Sequence, residues 1–330
     1  MLKNQLISSI LIINYALLIK LIMTLQQLEY VLALEKTRHF VRAAELCGVT
    51  QPTLSAMIQK LEDELDCKIF DRSRNPIETT EIGKKIIEQA QEIIHQSNHL
   101  KETVQVEKET LSGTLHLAVI PTIAPYLLPQ FIASFKKLYP DISLKVNEMN
   151  TETIIEKLRM AEIDMAILST PLNDAKILEV PLYYEKFIAY ISPSDPIYKL
   201  KELSASDMPL DHLWVLEEGH CLRNQVFNFC DEKAHYTSMY EAGSINTLIK
   251  IVDINGGYTV IPELHIELLS EKQKLNLRDI VKPEATREIS VVIRHDFVRE
   301  GILNAVAECI KQIIPYHMLD ARLKKFAIRL

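Results

Sequence analysis

A long helical pattern between Ile82 and Thr110 divides this chain of 330 residues into two parts. Apolar and small side chains recur there at heptad spacing, at Ile82, Ile86, Ala90, Ile93, Ser97, Leu100 and Val104. A helix of roughly 28 residues is about 42 Å long, which exceeds what one small domain needs. The pattern therefore predicts a linker helix over 82–111, capped by Thr80, that pairs with the same helix of a second chain.

Three short helices are predicted before the linker. Thr24 and Gln27 have the spacing of a capping box, which marks the start of the first helix. A second helix fits residues 40–48 and ends at a glycine. The third begins after Thr50, a favourable N-cap residue, and has Pro52 in its first turn, where a missing N–H costs little.

The third of these helices has one apolar stripe, formed by Leu54, Ile58, Leu61 and Leu65. Its polar positions must then face outward, and they are Gln51, Thr53, Ser55, Gln59 and Lys60. Small polar side chains at the start of an exposed helix suit the major groove of DNA. The residues after the helix alternate between apolar and polar around Arg72 and Arg74, which predicts a two-stranded wing.

These elements predict an all-α winged helix-turn-helix domain over residues 23–81, although another small helical bundle would show a similar pattern. Its overall charge does not favour DNA, because it has seven Lys and Arg against ten Asp and Glu. The whole chain has a formal net charge of −7. Binding would therefore depend on a local set of candidate contacts: Arg38, Arg42, Thr50, Gln51, Pro52, Thr53, Ser55, Lys60, Arg72 and Arg74.

From residue 112 onward predicted strands alternate with predicted helices, which is the pattern of an open α/β sheet. Strand-like segments continue through "FIAYIS", "LWVLE", "YTSMYE" and "YTVIP", and "EISVVIR" near the end resumes the first part. We therefore predict a regulatory domain over 112–330 with two Rossmann-like α/β lobes, the second at about 184–285. Two such lobes leave a cleft between them, where ligands commonly bind.

The first 22 residues do not fit this scheme. An apolar run from Leu6 to Ile19 has the outline of a signal sequence or a short anchor, but Lys20 interrupts it and no cleavage site follows. Because the helical pattern starts directly after Met23, we expect Met23 to be the start and residues 1–22 not to be translated. The odd number of cysteines, five, fits a reducing cytoplasm.

Two stretches carry a family resemblance. The segment "FVRAAELCGVTQPTLSAMIQKLEDEL", followed by "IFDRSRNPIETTEIG", resembles the DNA-binding signature of LysR-type transcriptional regulators in order and spacing. Within that family the chain looks most like the peroxide-sensing activators, because "RHF", "IPTIAPYLLP", "EVPL" and above all "EEGHCLRNQVFNFC" resemble their pattern. It departs from the family at Ala56 and Gln59, so the resemblance implies no operator sequence.

The resemblance implies a cytoplasmic transcription activator of oxidative-stress genes, with a regulatory domain like that of periplasmic binding proteins. It implies promoter DNA, RNA polymerase and a glutaredoxin- or thioredoxin-type reductant as partners, hydrogen peroxide as the signal, and a homodimer that associates to a homotetramer. It implies no enzyme activity, cofactor, metal or membrane. Two alternatives stay open: a LysR-type regulator that binds a small metabolite in the cleft, and a thiol peroxidase, which would need no DNA-binding module.

Cys221 and Cys230 lie nine positions apart, too far for a C-x-x-C motif. Cys221 opens a predicted helix, where helix N–H groups, a protonated His220 and Arg223 would each favour its thiolate. We expect peroxide to convert Cys221 to a sulfenic acid and Cys230 to resolve it to a disulfide. If the segment is helical, the two Cα atoms are about 13.5 Å apart. A disulfide needs about 4.4–6.8 Å, so the segment would have to unwind.

The resemblance also implies a peroxide pocket around Cys221, formed by Thr122, Thr151, His220 and Arg287. Thr122 lies between a predicted strand and a helix N-terminus, where polar ligands bind favourably. Structural roles are open for the same residues: Thr122 as a cap, His220 as a loop histidine and Arg287 as the partner of an acidic residue. Cys47, Cys67 and Cys309 are expected to be small buried hydrophobic side chains.

Overall fold

The computed structural model describes residues 23–106, 111–172, 174–230, 241–282 and 285–319. Along the chain, the division between two compact units falls between Val104 and Gln105. The extension over 1–22 lies outside the described residues. Within the described ranges, no helix is both long and apolar enough to cross a membrane.

The first unit has the predicted three helices, wing and linker. Its elements are α1 (Leu25–Thr37), α2 (Phe40–Leu46), α3 (Gln51–Glu64), β1 (Phe70–Asp71), β2 (Glu78–Thr79) and α4 (Glu81–Val106). The capping box predicted at Thr24 and Gln27 is present, and the Thr50 side chain accepts a hydrogen bond from the Thr53 backbone N–H. Strands β1 and β2 pair in antiparallel fashion and form the wing.

The apolar stripe of α3 is shorter than predicted. Leu54, Ile58 and Leu61 are fully buried, but Leu65 is 40% exposed. The prediction for Leu65 was wrong because α3 ends at Glu64 and Leu65 is its C-cap residue, which lies past the last helical turn. The buried face of α3 packs on α1 and α2 in one hydrophobic core.

Helix α4 begins after Thr80, whose hydroxyl accepts a hydrogen bond from the Gly83 N–H at 2.9 Å. Near its start, Ile87 and Ala90 are buried against the core of the first unit. Further along, Ile93, Leu100 and Val104 are exposed, Leu100 by 70%. An apolar row that this chain leaves uncovered is what the heptad pattern predicts for a helix that pairs with a second copy. That pairing stays a prediction.

The first lobe of the second unit has the predicted alternation of strands and helices. Its elements are β3 (Gly113–Val119), α5 (Ala124–Leu138), β4 (Ile142–Glu148), α6 (Thr151–Arg159) and β5 (Met165–Thr170), joined near the end of the chain by β10 (Thr286–Arg294) and α10 (Glu300–Ile313). Strand β3 lies between β4 and β5 and is parallel to both. Strand β10 runs antiparallel to β5, so "EISVVIR" returns to the first lobe as predicted.

The second lobe contains β7 (Glu202–Ser204), α7 (Cys221–Cys230), α8 (Ile245–Asn255), β8 (Tyr258–Pro262), α9 (Glu271–Lys274) and β9 (Leu277–Lys282). A long strand, β6 (Ile177–Ile191), belongs to both lobes. Its first part pairs with β10, and its second part pairs with β8 and β9. One mixed sheet therefore runs through the whole unit, in the order β4-β3-β5-β10-β6-β9-β7 with β8 beside β6.

One predicted strand of the second lobe differs from the structure, and a second predicted strand is not tested by it. The segment 213–217 was predicted as a strand, but it makes only isolated bridges, from Leu213 to Tyr258 and from Leu216 to Ala242. Its apolar residues are instead buried in the second hydrophobic core, which gives the same sequence pattern as a strand. The predicted strand over 236–241 lies almost wholly outside the described residues.

Candidate functional site

Cys221 is the first residue of α7 and is only 5% exposed. The turn before it depends on Gly219, which has φ +91°. A Cβ at that position would lie 3.1 Å from the Asn150 side-chain amide, just before α6. The turn therefore brings the start of α7 against the start of α6, and this close approach requires a glycine.

The start of α7 joins two hydrophobic cores. Cys221 packs in the core of the first lobe, together with residues of β3, α5 and β5. Leu222 and Val226, on the same helix, pack in the core of the second lobe. A cavity of about 10 Å³ lies between α7 and that lobe, lined among others by Leu222, Val226 and Leu248. Any movement of α7 must therefore disturb both cores.

Arg287 is fully buried next to the Cys221 thiol. Its Nε and Nη2 donate hydrogen bonds to Glu185 Oε2 at 3.0 and 2.8 Å. Its Nη1 donates to the Thr122 hydroxyl at 2.9 Å, and Nη2 also donates to the Thr122 carbonyl at 3.2 Å. Arg287 therefore forms an ion pair with an acidic residue, which is one of the two roles that the sequence left open for it. The charge of the same guanidinium also lowers the pKa of the Cys221 thiol.

Thr122 and Thr151 are both at this site. Thr122 is 1% exposed and holds the Arg287 guanidinium through both its hydroxyl and its carbonyl. Thr151 is the first residue of α6, and its buried hydroxyl has no hydrogen-bond partner among the described residues. The nearby Thr151 side chain lowers the pKa of the Cys221 thiol.

The thiolate of Cys221 is less favoured than the sequence suggested. Burial raises the pKa of the Cys221 thiol, and Arg287, Thr151 and the backbone N–H groups at the helix start only partly offset this. The expectation of a lowered pKa was wrong because the sequence did not reveal how completely the thiol is buried. At neutral pH the resting group is therefore a protonated thiol.

His220 and Arg223 do not act as predicted. His220 is 7% exposed, and its burial lowers its pKa, so its imidazole is neutral at neutral pH. Arg223 donates to Glu241 at 2.7 Å and lies 3.1 Å from Glu218, so its charge is offset by two carboxylates. The cation that favours the Cys221 thiolate is Arg287, which is distant in sequence and was expected only as part of the pocket.

Other residues of the site were missed in the sequence. Glu185, Tyr126 and Tyr183 surround Arg287, with the Tyr126 hydroxyl donating to Glu185 Oε2 at 3.1 Å. Gln225 is fully buried one helical turn after Cys221 and donates to Ser169 at 3.0 Å. His265 is 1% exposed, and its burial and Arg287 lower its pKa to about 4. Only the position of Gln225, four residues after Cys221, gave a signal in the sequence.

Helix α7 extends from Cys221 to Cys230, so the helical state on which the distance argument depends is present. A helix of that length separates the two Cα atoms by about 13.5 Å, against the roughly 4.4–6.8 Å of a disulfide. The side chain of Cys230 lies outside the described residues. Cys221, Cys47, Cys67 and Cys309 are free thiols, and of the three bystanders only Cys309 is buried, so the expected burial of Cys47 and Cys67 was wrong.

The candidate DNA contacts all lie on the first unit, but their side chains differ in exposure and in the contacts that hold them. Arg38, Arg42, Thr50, Pro52, Thr53, Lys60, Arg72 and Arg74 are exposed, whereas Gln51 and Ser55 are half-buried. Arg72 is held inward by Glu62 Oε2 at 3.0 Å, and its guanidinium lies 5.3 Å from the centre of the Phe40 ring. Arg74 is 63% exposed and lies only loosely beside Asp71, at 3.8 Å. The wing therefore has one anchored and one accessible arginine.

Within the described ranges, no group of three or more His, Cys, Asp or Glu side chains is arranged to hold a metal ion. The polar groups around Cys221 are instead buried hydrogen-bond donors and acceptors, which are the groups that bind a neutral polar molecule. This is the part of the molecule where a reactive atom, Cys221 Sγ, meets a buried cation.

Two family models match the chain. The model "LysR substrate binding domain" matches residues 108–314, and "Bacterial regulatory helix-turn-helix protein, lysR family" matches residues 25–84. A "Hydrogen peroxide-inducible genes activator" from Pectobacterium carotovorum subsp. carotovorum is 34% identical over 301 residues, which cover 90% of this chain and 98% of that protein. The "DNA-binding transcriptional dual regulator OxyR" of Escherichia coli (strain K12) is 33% identical over 296 residues, which cover 89% and 97%.

Solved structures give the same result. A full-length OxyR point mutant from Pseudomonas aeruginosa matches with a TM-score of 0.73 and 31% identity. The match covers 88% of this chain and 98% of that one.

Proposed function

Because the chain belongs to the lysR family of bacterial regulatory helix-turn-helix proteins, we propose that it is a DNA-binding transcription regulator that senses hydrogen peroxide through Cys221 and Cys230. One observation carries the proposal: a free, buried thiol lies beside a buried arginine at the start of a helix that ends at a second cysteine. Relatives named for hydrogen peroxide or as OxyR support it.

In the first step, Cys221 Sγ attacks one oxygen of hydrogen peroxide and the O–O bond breaks. The leaving hydroxide takes the proton of the thiol, so the products are a sulfenic acid and one molecule of water. Sulfur loses two electrons and peroxide gains them. Since only the thiolate attacks rapidly, the proton must leave Cys221 when peroxide is bound.

The pocket residues are assigned roles by their geometry. Arg287 Nη1 and the Thr122 hydroxyl would hold a peroxide oxygen beside the sulfur, because these two groups already contact each other at 2.9 Å. The Thr151 hydroxyl, which has no hydrogen-bond partner in the described part of the chain, would bind the second peroxide oxygen. His220 borders the site as a neutral imidazole. These donors stabilise the charge that develops on the leaving oxygen.

In the second step, the Cys230 thiol attacks the sulfenic sulfur and releases water, which leaves a disulfide. Because α7 separates the two Cα atoms by about 13.5 Å, the bond forms only if the helix unwinds. Cys221 then leaves the core of the first lobe, and Leu222 and Val226 are displaced from that of the second. A dithiol reductant of the glutaredoxin or thioredoxin type would reverse the change by thiol–disulfide exchange.

The domain limits stay as proposed from the sequence: residues 23–81 bind promoter DNA, 82–111 link and dimerise, and 112–330 sense peroxide. The exposed apolar row of α4 supports a dimer that presents two copies of α3 to DNA. The oxidised regulatory units would change the arrangement of these dimers within a homotetramer and their contact with RNA polymerase. The regulator would act in the cytoplasm and consume peroxide once per oxidation, without sustained turnover.

The test compares DNA footprints of the reduced and the peroxide-treated full-length protein. We expect peroxide to shift the footprint of the wild type, and we expect Cys221→Ser to abolish the shift. Cys309→Ser is the matched control, because Cys309 is also buried in the first lobe but lies far along the chain from α7. An unchanged footprint in the oxidised wild type would refute the proposal. A Cys221→Ser protein that still responded to a cell extract would favour the metabolite-binding alternative.

A further inference from the structure

Glu185 is the counter-charge of the arginine at the Cys221 site. The two residues are direct cross-strand partners on β6 and β10, so the backbone register itself places them together. Their ion pair measures 2.8 Å, and both side chains are 0% exposed. Because both side chains are shielded from bulk solvent, the effect of Arg287 on its surroundings depends on how completely Glu185 offsets its charge.

The Glu185 carboxylate cannot turn away from Arg287. Its Oε2 accepts hydrogen bonds from Arg287 Nε and Nη2 and from the Tyr126 hydroxyl. Its Oε1 accepts a hydrogen bond from the Leu264 backbone N–H at 2.9 Å. Both oxygens are therefore fixed from three different elements.

This arrangement also aims the guanidinium. With Nε and Nη2 held by Glu185, the Nη1 edge of Arg287 is the one that reaches Thr122 Oγ1. Because the guanidinium is planar, fixing one edge fixes the direction of the other N–H groups. The side of the arginine that faces the candidate peroxide pocket is thus determined by Glu185.

We propose that Glu185 is a positioning residue for the Cys221 site, which aims the Arg287 guanidinium, offsets its charge and thereby sets how readily the Cys221 thiol loses its proton. The inference rests on the proposed function only in taking Cys221 as the reacting residue. Its consequence is that the resting thiol stays protonated until a ligand in the pocket changes the contacts of Arg287.

The other titratable groups around Cys221 cannot supply this control. His220 and His265 are neutral at neutral pH, since burial lowers the pKa of each. Tyr126 and Tyr183 are neutral as well, because burial first and then Glu185 raise their pKa values. Glu217 and Glu148 act on His220. The charges at the site are therefore those of Arg287 and Glu185.

The test measures the pH dependence of Cys221 alkylation by iodoacetamide in the reduced full-length protein, read by mass spectrometry of the Cys221 peptide. In Glu185→Gln the guanidinium loses its counter-charge, and we expect alkylation at pH 7 to become about tenfold faster, the effect of lowering the thiol pKa by one unit. Glu185→Asp keeps the charge and should restore a profile close to that of the wild type. A rate in Glu185→Gln equal to or below the wild-type rate would overturn the proposal.

An unpaired buried arginine can prevent folding, so a second pair of variants is needed. Arg287→Gln leaves Glu185 without its cation, and burial already raises the pKa of that carboxyl, so it can take a proton and become neutral. We expect Arg287→Gln and the double variant Glu185→Gln with Arg287→Gln to share one alkylation profile, shifted to higher pH than in the wild type. Different profiles for the two, or no shift in either, would contradict the proposal.

The same samples separate this inference from the proposed function. Alkylation requires only a thiol, whereas sulfenic acid formation requires peroxide to react at Cys221. If Glu185→Gln changes alkylation but hydrogen peroxide leaves Cys221 unmodified in the wild type, Glu185 controls the thiol and the peroxide function fails. If peroxide oxidises Cys221 and alkylation is unaffected by Glu185→Gln, the peroxide function stands and the role of Glu185 is refuted.

Discussion

Cys221 and Leu222 are neighbours in the chain but belong to different hydrophobic cores. Cys221 packs with the first lobe, and Leu222 with the second. Helix α7 is thus attached to both lobes at its first turn. A covalent change at the sulfur disturbs the packing of Cys221 in the first lobe. The resistance of the helix to unwinding then depends on the packing of Leu222 in the second lobe.

Replacing Leu222 should therefore affect the switch more than replacing another leucine of the same core. Leu222→Ala removes a buried side chain, at a cost of about 2–5 kcal/mol, and weakens the attachment of α7 that must be broken. We expect the Cys221–Cys230 disulfide to form faster after a peroxide pulse, as measured by rapid quenching with an alkylating reagent. Leu269→Ala, just before α9, is the control: it costs stability in the same core, but Leu269 does not line the cavity beside α7, so the rate of disulfide formation should be unchanged.

A side chain at Gly219, in the turn before Cys221, should destabilise the protein. Gly219→Ala places a Cβ 3.1 Å from the Asn150 amide at φ +91°, and we expect a loss of about 1–2 kcal/mol in urea unfolding, because that backbone region disfavours L-residues. Gly243→Ala is the control, since its Cβ would meet its nearest neighbour, Glu217, at an ordinary 3.5 Å. Equal midpoints for the two variants would show that the turn is not strained.

Acid should destabilise the second unit through His265. An unfolded histidine titrates near 6.5, but burial, and to a lesser extent Arg287, lower the pKa of folded His265 to about 4. Between these values the unfolded state binds a proton that the folded state does not, so the contribution to stability is lost as pH falls below about 6.5.

The measurement is urea unfolding of His265→Gln at pH 7 and pH 5. We expect the variant to lose about 2 kcal/mol less than the wild type between these pH values. His317→Gln serves as the comparison, because it removes a histidine whose side chain is 60% exposed and leaves His265 in place. If His265→Gln loses as much unfolding free energy as the wild type between pH 7 and pH 5, another group causes the acid sensitivity.

On DNA, the accessible wing arginine should act mainly through phosphate. Arg74→Ala should weaken binding to different sequences by a similar factor and reduce the slope of log K against log salt by about 1. The measurement is a fluorescence anisotropy titration over a range of salt concentrations. Lys201→Ala removes an exposed cation from the second unit and should leave the slope unchanged. An unaltered slope in Arg74→Ala would place the wing away from the DNA backbone.

The sequence was most informative where the cause of structure is local. The capping box at Thr24 and Gln27 and the N-cap at Thr50 depend on residues within one helical turn, and both were predicted. The helix from Cys221 to Cys230 followed from the same kind of reasoning.

What the sequence could not show depends on distant contacts. Glu185 and Arg287 are separated by about a hundred positions, and only the register of β6 and β10 brings them together. The pKa of Cys221 was predicted in the wrong direction because burial, which dominates it, is a property of the assembled lobes. Segment 213–217 was wrongly predicted to be a strand for a related reason, because a buried loop and a strand can have the same run of apolar residues.

The near-complete burial of Cys221 also decides what the protein ignores. Hydrogen peroxide is about as large as two water molecules and can enter with small movements of the surrounding side chains, whereas a bulky hydroperoxide or a large disulfide must displace more of the packed side chains to reach a sulfur that is 5% exposed. Oxidants are thus sorted by size before any bond is made. A cell that uses this protein would respond to a rise in the smallest peroxide before it responds to larger oxidants at the same concentration.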